Sequence, residues 1–248
     1  MSGLLLALLV GFAISQLTTF ATTIYLHRAL AHRALNLSPP LTAVCRTIIW
    51  LTSGMKPREW AAVHRRHHAF TDQEADPHSP LRLGWVRVQL TNALLYRQAA
   101  RDGVTVPRYA RDIPADRWDR WLFDRAWLGF GITFALLILG LGLVWGVVAG
   151  VWYIVAYLAL SGAINAVAHT FGRRPHDNSA TNLQWLAWIT GGEGLHNNHH
   201  AAPTAARFSF RRGEFDPTWP IIRLLARMRQ VTVRHPGGIP TREPARAG

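Results

Sequence analysis

The stretch GGEGLHNNHHAAP (residues 191–203) places three histidines within five residues: His196, His199 and His200. Side chains at i, i+3 and i+4 share one face of a helix, so this trio is expected to present three imidazoles to one point. A second stretch, EWAAVHRRHH (residues 59–68), repeats the spacing at His64, His67 and His68. Two trios in one chain indicate a metal site rather than scattered surface histidines.

Two further pairs extend the pattern. His27 and His32, in HRALAH, are five residues apart, a spacing that predicts one ligand for each of two neighbouring points. Asn165 and His169, in NAVAH, are four apart and therefore share a helix face. The remaining histidines, His78, His176 and His235, are interpreted as surface or capping residues.

The number of histidines predicts the kind of centre. Neutral imidazole is the commonest protein metal ligand and suits Fe, Zn, Cu and Ni. Nine candidates exceed the four ligands of a tetrahedral zinc site, so the sequence predicts two metals with four or five nitrogens each. Nearby carboxylates are expected to accept an imidazole N–H and fix its tautomer: Glu59, Asp72, Asp76 and Glu193.

Long apolar segments predict a membrane protein. Residues 3–24 contain no charged side chain and are long enough to cross about 30 Å of hydrocarbon. No Lys or Arg precedes this segment and no clean small-residue cleavage site follows it, which argues against a secretory signal peptide. Residues 126–171 also lack Asp, Glu, Lys and Arg. This region predicts two spans, about 127–143 and 146–168, with a tight turn near residues 142–146, whereas 41–54 predicts a shorter core or interfacial helix.

Charge predicts the orientation. The formal net charge is +13, and clusters of Arg follow the first span and the last one. By the positive-inside rule both clusters are cytoplasmic, and the histidine clusters lie with them. Because most of the positive charge flanks the membrane, no nucleic-acid partner is expected. The single cysteine, Cys45, excludes an intrachain disulfide and a Cys-based metal site.

The predicted architecture is all-α. About three transmembrane helices are joined to a helical cytosolic cap, residues 27–125 and 169–233, that carries a histidine-rich dimetal site. Within the cap, 81–98, 115–123 and 217–228 read as amphipathic helices, and its arginines could hold phosphate groups or face anionic lipid. Residues 1–233 are predicted to form one domain, and the Pro/Gly/Arg-rich residues 234–248 a disordered tail.

Four segments together resemble the membrane-bound acyl desaturases, in their acyl-CoA (stearoyl-type) Δ9 branch: HRALAH, EWAAVHRRHHAFTDQEADPH, NAVAHTFGRRPHD and GEGLHNNHH. The resemblance runs from about His27 to Pro203. It implies two non-haem irons held by the nine clustered histidines, with Asn165 reaching a metal through water. It also implies use of O2 and two electrons to introduce a cis double bond, near Δ9, into a saturated fatty acyl chain carried by CoA or by a lipid.

The number of predicted spans and the sequence near the C-terminus are two further points of comparison with that family. The family usually has two spans before the first histidine box and four in all, so this chain has one fewer. HPGG (residues 235–238) resembles a cytochrome b5 haem motif, but only ten residues follow it. A separate electron donor is therefore expected, such as a ferredoxin or a small cytochrome with its reductase. The Ala/Arg-rich composition is typical of a GC-rich bacterium, which suggests the bacterial inner membrane.

Alternatives remain at this stage. A lipid hydroxylase could use the same di-iron scaffold, and product analysis separates the two reactions. A histidine-rich metal transporter would place ionisable ligands at the membrane midplane, whereas these histidines fall just outside the predicted spans. No GxSxG-type elbow accompanies them, so a hydrolase has little support.

Overall fold

The computed structural model describes residues 2–238, and these residues form helices with one small sheet. The helices are α1 (Gly3–Ala21), α2 (Pro39–Thr52), α3 (Pro57–Ala69), α4 (Pro80–Leu83), α5 (Trp85–Ala100), α6 (Thr105–Tyr109), α7 (Ala126–Leu141), α8 (Leu143–Ala166), α9 (Gln184–Ile189), α10 (His196–Ala201) and α11 (Thr218–Arg227). Strands β1 (Leu35–Leu37) and β2 (Val231–Val233) pair antiparallel. This sheet is the exception to the expected all-α fold.

The first helix is longer than the predicted span 3–24. Ser2 caps α1 by accepting from the Leu5 N–H at 3.3 Å, and the helix runs without a break into a π-helical segment, Thr22–Ala31. Together they form one rod of 29 residues, Gly3–Ala31. Its apolar part is long enough to cross a bilayer, and its far end carries His27.

The second apolar region is a helical hairpin with a sharper turn than predicted. A single residue, Gly142 at φ +79°, separates α7 from α8, so the turn does not extend to Gly146. With its last turn, α8 spans Leu143–His169 and is the second helix that is long and apolar enough to cross a membrane. The other arm, α7, is apolar but has only 16 residues. Two spans therefore meet the length criterion, against the three expected.

Close helix contacts form the apolar bundle. Ala7, Leu137, Ala149 and Tyr153 make a buried cluster between α1, α7 and α8. Helix α2, predicted as a core or interfacial helix, joins the bundle through polar bonds: Thr18 donates to Thr52 Oγ1 at 2.8 Å, and Thr133 donates to the Leu51 carbonyl at 2.8 Å. Polar bonds between helices satisfy hydroxyls that have no water partner in an apolar bundle.

The polar segments pack at one end of this bundle. The predicted amphipathic helix 81–98 is divided at Gly84 into α4 and α5, while 115–123 forms only a short π-helical turn, Asp119–Phe123. Arginines of α2 and α3 are paired with carboxylates from later loops: Arg46 with Asp116 and Asp119, Arg65 with Asp112, and Arg66 with Asp102. These pairs hold the segment 102–119 against α2 and α3.

Part of the predicted tail belongs to the folded body. The Arg234 N–H donates to the Ala34 carbonyl at 2.9 Å, and the His235 carbonyl accepts from the Ala206 N–H at 2.7 Å. The ordered chain therefore passes the predicted boundary at 233. The remainder of the predicted disordered tail, residues 239–248, lies outside the described residues.

The contact between α1 and α8 generates a stability prediction. A Cβ added at Gly11 would lie 2.7 Å from the Ala149 carbonyl oxygen, a backbone atom that cannot move aside cheaply, whereas one added at Gly140 meets nothing within 4 Å. We expect Gly11→Val to lower Tm on the order of 5 °C, because overpacking costs about 1–3 kcal/mol. Tryptophan fluorescence during heating in detergent measures the change.

Gly140→Val is the matched control, since it puts the same side chain into an apolar helix at an open position. Equal Tm shifts for the two variants would contradict the close approach of α1 and α8.

Candidate metal centre

Nine histidines converge at the polar end of the helical bundle and form two groups. Within each group the ligand nitrogens lie within 4.8 Å of one another. The first group, called centre A, contains His27, His32, His64, His68 and His199. The second group, called centre B, contains His67, His169, His196 and His200. This five-plus-four division matches the sequence-based expectation of two sites with four or five nitrogens each.

The first histidine pair is placed differently from the prediction. His27 and His32 were expected to serve two neighbouring points, yet both lie in centre A, with ring centroids 4.8 Å apart. The reason is the π-helix: the His32 N–H donates to the His27 carbonyl at 3.1 Å, an i→i+5 bond. Five residues make about one π-helical turn, whereas on an α-helix they would be about 140° apart.

Both histidine trios are divided between the two centres, so the expectation that each trio serves one point is wrong. On α3, His64 and His68 belong to centre A and His67 to centre B; on α10 the pair His196 and His200 belongs to centre B and His199 to centre A. The i and i+4 positions differ by about 40° around a helix, while i and i+3 differ by about 60° in the opposite sense. Each helix therefore lies between the centres and contributes to both.

Three of the four predicted carboxylates contact an imidazole. Glu193 accepts from His27 Nδ1 at 2.7 Å, Asp76 from His67 Nδ1 at 3.0 Å, and Asp72 from His169 Nδ1 at 2.9 Å. A carboxylate acceptor keeps the proton on Nδ1, which leaves Nε2 with a free lone pair. Glu193 also accepts from Thr23 Oγ1.

The fourth carboxylate, Glu59, has a different partner. It faces Lys56 at 3.7 Å, about one third exposed, and makes no histidine contact among the described residues. One turn separates Glu59 from His64 in sequence, but the side chain lies at the first turn of α3, toward solvent and the cavity described below. Sequence proximity alone suggested the wrong role.

Two other positions also differ from expectation. His78, interpreted as a surface residue, is 5% exposed and packs with its ring 4.7 Å from the His67 ring, and neither of its nitrogens has a hydrogen-bond partner among residues 2–238. Asn165 belongs to neither histidine group; its amide donates to Asn92 Oδ1 at 2.9 Å. His176 is half-buried and His235 is exposed.

Two supports of the centre, one buried and one half-buried, were missed by sequence reading. Arg28, counted there as a membrane-flanking charge, is fully buried and pairs with Asp216 at 3.1 Å, with its guanidinium 4.0 Å above the Phe208 ring. Trp60 stacks on His64 at 4.8 Å. The sequence did contain one signal for Arg28, its position directly after His27.

The donor atoms suit metal ions. His199 Nε2 lies 3.0 Å from both His27 Nε2 and His68 Nε2, and His32 Nε2 lies 2.8 Å from His64 Nε2. In centre B, His169 Nε2 is buried without a partner in the described chain. Lone pairs this close repel one another unless a cation lies among them, and an unpartnered buried nitrogen is costly.

The protonation states of the clustered histidines also suit metal binding. Burial, followed by the neighbouring imidazoles, lowers the pKa well below its usual value for His64, His68, His199 and His200. These side chains are therefore neutral near pH 7, which is the form that coordinates a metal. Asp72 stays ionised beside them: burial alone raises its pKa, but hydrogen bonds from His169, Ser179 and Ser79 hold the pKa below the usual range.

A cavity of about 550 Å³ reaches both centres. Its walls include His27 and His64 of centre A and His196 of centre B, together with Thr22, Tyr157 and Ile164 from the apolar helices. Charged side chains also line it: Lys56, Glu59, Arg97, Arg101 and Asp124. A volume of this size is typical of small-molecule sites, and a lining with both apolar and charged residues suits a ligand with an apolar tail and a polar head.

The histidine pattern and the helical frame agree with a family model for fatty acid desaturases, which matches residues 2–235. The chain belongs to the fatty acid desaturase family. It is accordingly an oxidoreductase that acts on fatty acyl chains, in a family of membrane proteins whose members depend on metal.

Curated relatives agree. The chain is 32% identical over 231 residues to the Delta-9 desaturase-like 5 protein of Arabidopsis thaliana, covering 88% of this chain and 73% of that protein. It is 29% identical to the sn-1 stearoyl-lipid 9-desaturase of Synechocystis sp., covering 82% of this chain and 64% of the relative. An acyl-CoA C20 Delta5-desaturase of Anemone leveillei is 31% identical, with 83% and 66% covered. The chain thus spans about two thirds to three quarters of these relatives' lengths.

The carboxylate–imidazole pairs generate a metal-binding prediction. Glu193→Ala removes the acceptor of His27 Nδ1, so the ring loses its fixed tautomer and orientation. We expect about a 10- to 100-fold weaker retention of metal, the usual effect of removing such a partner. Metal content after dialysis against graded chelator, measured by plasma mass spectrometry, quantifies it.

Glu74→Ala is the matched control, because Glu74 is an exposed acid in the loop after α3. Metal retention that falls equally in both variants would show that Glu193 has no specific role.

Proposed function

We propose that the protein is a di-iron, O2-dependent desaturase that introduces a cis double bond, at Δ9, into a saturated fatty acyl chain. The observation that carries the proposal is the pair of histidine centres beside a cavity lined by both apolar and charged residues. The relatives named above as Δ9 or stearoyl-lipid desaturases support the choice of reaction and position.

The proposed ligands are the nine clustered histidines, in the groups the structure forms. His27, His32, His64, His68 and His199 would hold one iron and His67, His169, His196 and His200 the other. Asn165 lines the same cavity and its side chain is 2.9 Å from Asn92; we assign it the role of holding a water molecule that reaches the metal. When bound, the irons supply the activation of O2 that breaking an unactivated C–H bond requires.

The protein's own residues orient the ligands and the substrate. Glu193, Asp76 and Asp72 keep the protons of three imidazoles on Nδ1, so that the Nε2 of each of these three rings is free to face its centre. Tyr157, Ile164 and neighbouring apolar residues form a dry wall for the methylene chain, while Arg97 and Arg101 lie where a polar head group would remain. Exclusion of water at the apolar wall limits side reactions.

The overall reaction requires external electrons. One –CH2–CH2– unit, one O2, two protons and two electrons give one –CH=CH– unit and two waters. Saturated acyl carbon supplies two of the four electrons that reduce O2, and a donor protein, a ferredoxin or a small cytochrome with its reductase, supplies the other two.

The proposal includes a membrane orientation. The rod Gly3–Ala31, α7 and α8 are assigned as three spans of a bacterial inner membrane, with the bilayer locally thinned at α7 because this helix is short. The histidine centres lie on the cytoplasmic side, where the positive-inside rule places the flanking arginines.

Fatty acid analysis tests the function. The chain is expressed in a bacterium that supplies a ferredoxin-type donor, total lipids are hydrolysed, and the acids are analysed by mass spectrometry. We expect a new cis-Δ9 monounsaturated acid with the unaltered chain, and at least about a 100-fold loss with His199→Ala, because that imidazole faces two others of centre A. Purified protein should hold about two irons per chain.

His235→Ala is the matched control, since His235 is an exposed histidine that contributes only its backbone carbonyl to a hydrogen bond. A hydroxy acid in place of the monounsaturated acid would assign the scaffold to a hydroxylase. Full product from His199→Ala, with equal protein in the membrane, would contradict the metal centre as the site of reaction.

A further inference from the structure

A basic groove lies on the other side of α10 from the histidine centres. It encloses about 720 Å³ and is lined by residues 172–175, 182–185, 195 and 211–214. Four arginines line it: Arg173, Arg174, Arg211 and Arg212. All four are exposed.

The single carboxylate in this lining does not neutralise the arginines. Glu214 Oε2 accepts from the backbone N–H groups of Phe210 at 2.7 Å and Arg211 at 2.9 Å, and from the Asn198 amide at 2.7 Å. Glu214 keeps its negative charge but forms no ion pair with an arginine in the described chain. The lining therefore carries four positive charges and one negative charge, a net charge of +3.

The groove arginines differ from those that hold the segment 102–119 against α2 and α3. Arg33, Arg46, Arg65 and Arg66 all form ion pairs with Asp residues. Among residues 2–238, none of the groove arginines forms one. Arg174 donates to the backbone carbonyls of Ser179 at 3.0 Å and His169 at 3.3 Å, and Arg211 donates to that of Pro175 at 3.3 Å. A concave cluster of unneutralised guanidinium groups is suited to a partner that brings carboxylates or phosphates.

The groove is joined to centre B and centre A by short connections. Leu195, which lines the groove, immediately precedes His196. Asn182 and Glu214 both contact Asn198, at 2.8 and 2.7 Å, and Asn198 immediately precedes His199. A partner seated in the groove is therefore separated from ligands of both centres by about one layer of residues.

The groove opens beside the membrane rather than into it. On α9, Trp185 and Trp188 are 57% and 55% exposed, and Trp188 stacks on Phe215. The end of α9 contacts the apolar rod, because Gln16 Nε2 donates to the Ile189 carbonyl at 3.3 Å. Exposed aromatic residues are typical of the membrane interface, and Trp185 lines the groove together with the exposed arginines, so the groove is expected at the boundary between membrane and water.

We propose that this groove docks the acidic surface of the electron-donor protein. The inference rests on the proposed function, because desaturation needs two external electrons, delivered one at a time by a one-electron carrier such as a [2Fe–2S] protein. An acidic carrier complements the four arginines, and its docking here brings its redox centre near α10. Charge complementarity also speeds encounter.

Charge reversal tests the docking. The probe is an acidic plant-type [2Fe–2S] ferredoxin with its NADPH-dependent reductase, and the variant is Arg173→Glu/Arg212→Glu, whose side chains make no hydrogen bond within the described chain. We expect the Kd for ferredoxin, measured by direct binding to detergent-solubilised protein, and the KM for ferredoxin in turnover, to rise at least about tenfold. The salt dependence of both should weaken.

Arg108→Glu/Arg111→Glu is the matched control, since it makes the same charge change at exposed positions near α6, away from the groove. Product from a single turnover, after reduction by dithionite and admission of O2, should be equal in all three proteins, because dithionite needs no docking. Unchanged Kd and KM in the groove variant would overturn the proposal. So would unchanged values accompanied by weaker binding to phosphatidylglycerol vesicles, which would assign the groove to anionic lipid.

The two proposals fail separately. Absence of single-turnover product in the unaltered protein would contradict the desaturase reaction. The direct binding measurement requires no turnover, so it still decides whether the groove binds the carrier.

Discussion

The whole polar half of the structure depends on bringing nine imidazoles together inside the protein. Each buried imidazole has two nitrogens that need a partner, and the protein supplies a partner for at most one of them. Carboxylates from Glu193, Asp76 and Asp72 satisfy three Nδ1 atoms, while the Nε2 atoms face one another at 2.8–3.4 Å. Protein groups alone leave this arrangement unfavourable. Metal binding and folding of this region are therefore coupled, as in other sites whose ligands have no alternative partners.

The same requirement explains why the supporting residues are buried charges. Arg28 follows His27 in the π-helix and pairs with Asp216 in the segment before α11. Removing a charge from water is costly unless its partner is well placed, so this pair fixes where the π-helix meets the C-terminal part of the chain. Gly192, at φ +94°, leaves room for it: a Cβ there would lie against the Asp216 carboxylate. Glu193, the next residue, is then aligned with His27.

Much of the site could be predicted from the sequence, because histidine spacing is a local property that helices preserve. All nine histidines were assigned to one dimetal site, and they do gather into two groups. How the nine histidines divide between centre A and centre B could not be predicted. That division depends on α3 and α10 lying between the centres and on a π-helix around His27, and nothing in HRALAH distinguishes a π-turn from an α-turn. The predictions for Glu59 and His78 differ from the structure for a related reason, because residues distant in sequence determine the surroundings of a side chain.

The extent of the apolar segments could be predicted from the sequence, but the turn between them could not. Uncharged segments predicted three spans, whereas two helices of the described chain are long enough to cross a bilayer and α7 has 16 residues. The hairpin turn is one glycine rather than five residues. A short helix beside two long ones has a consequence for the cavity. Helix α7 contributes Ala126 and Phe130 to the cavity lining, near its own first turn. One wall of the cavity beside the histidine centres therefore belongs to a short helix, and the position of such a helix in a membrane depends on the thickness of the bilayer.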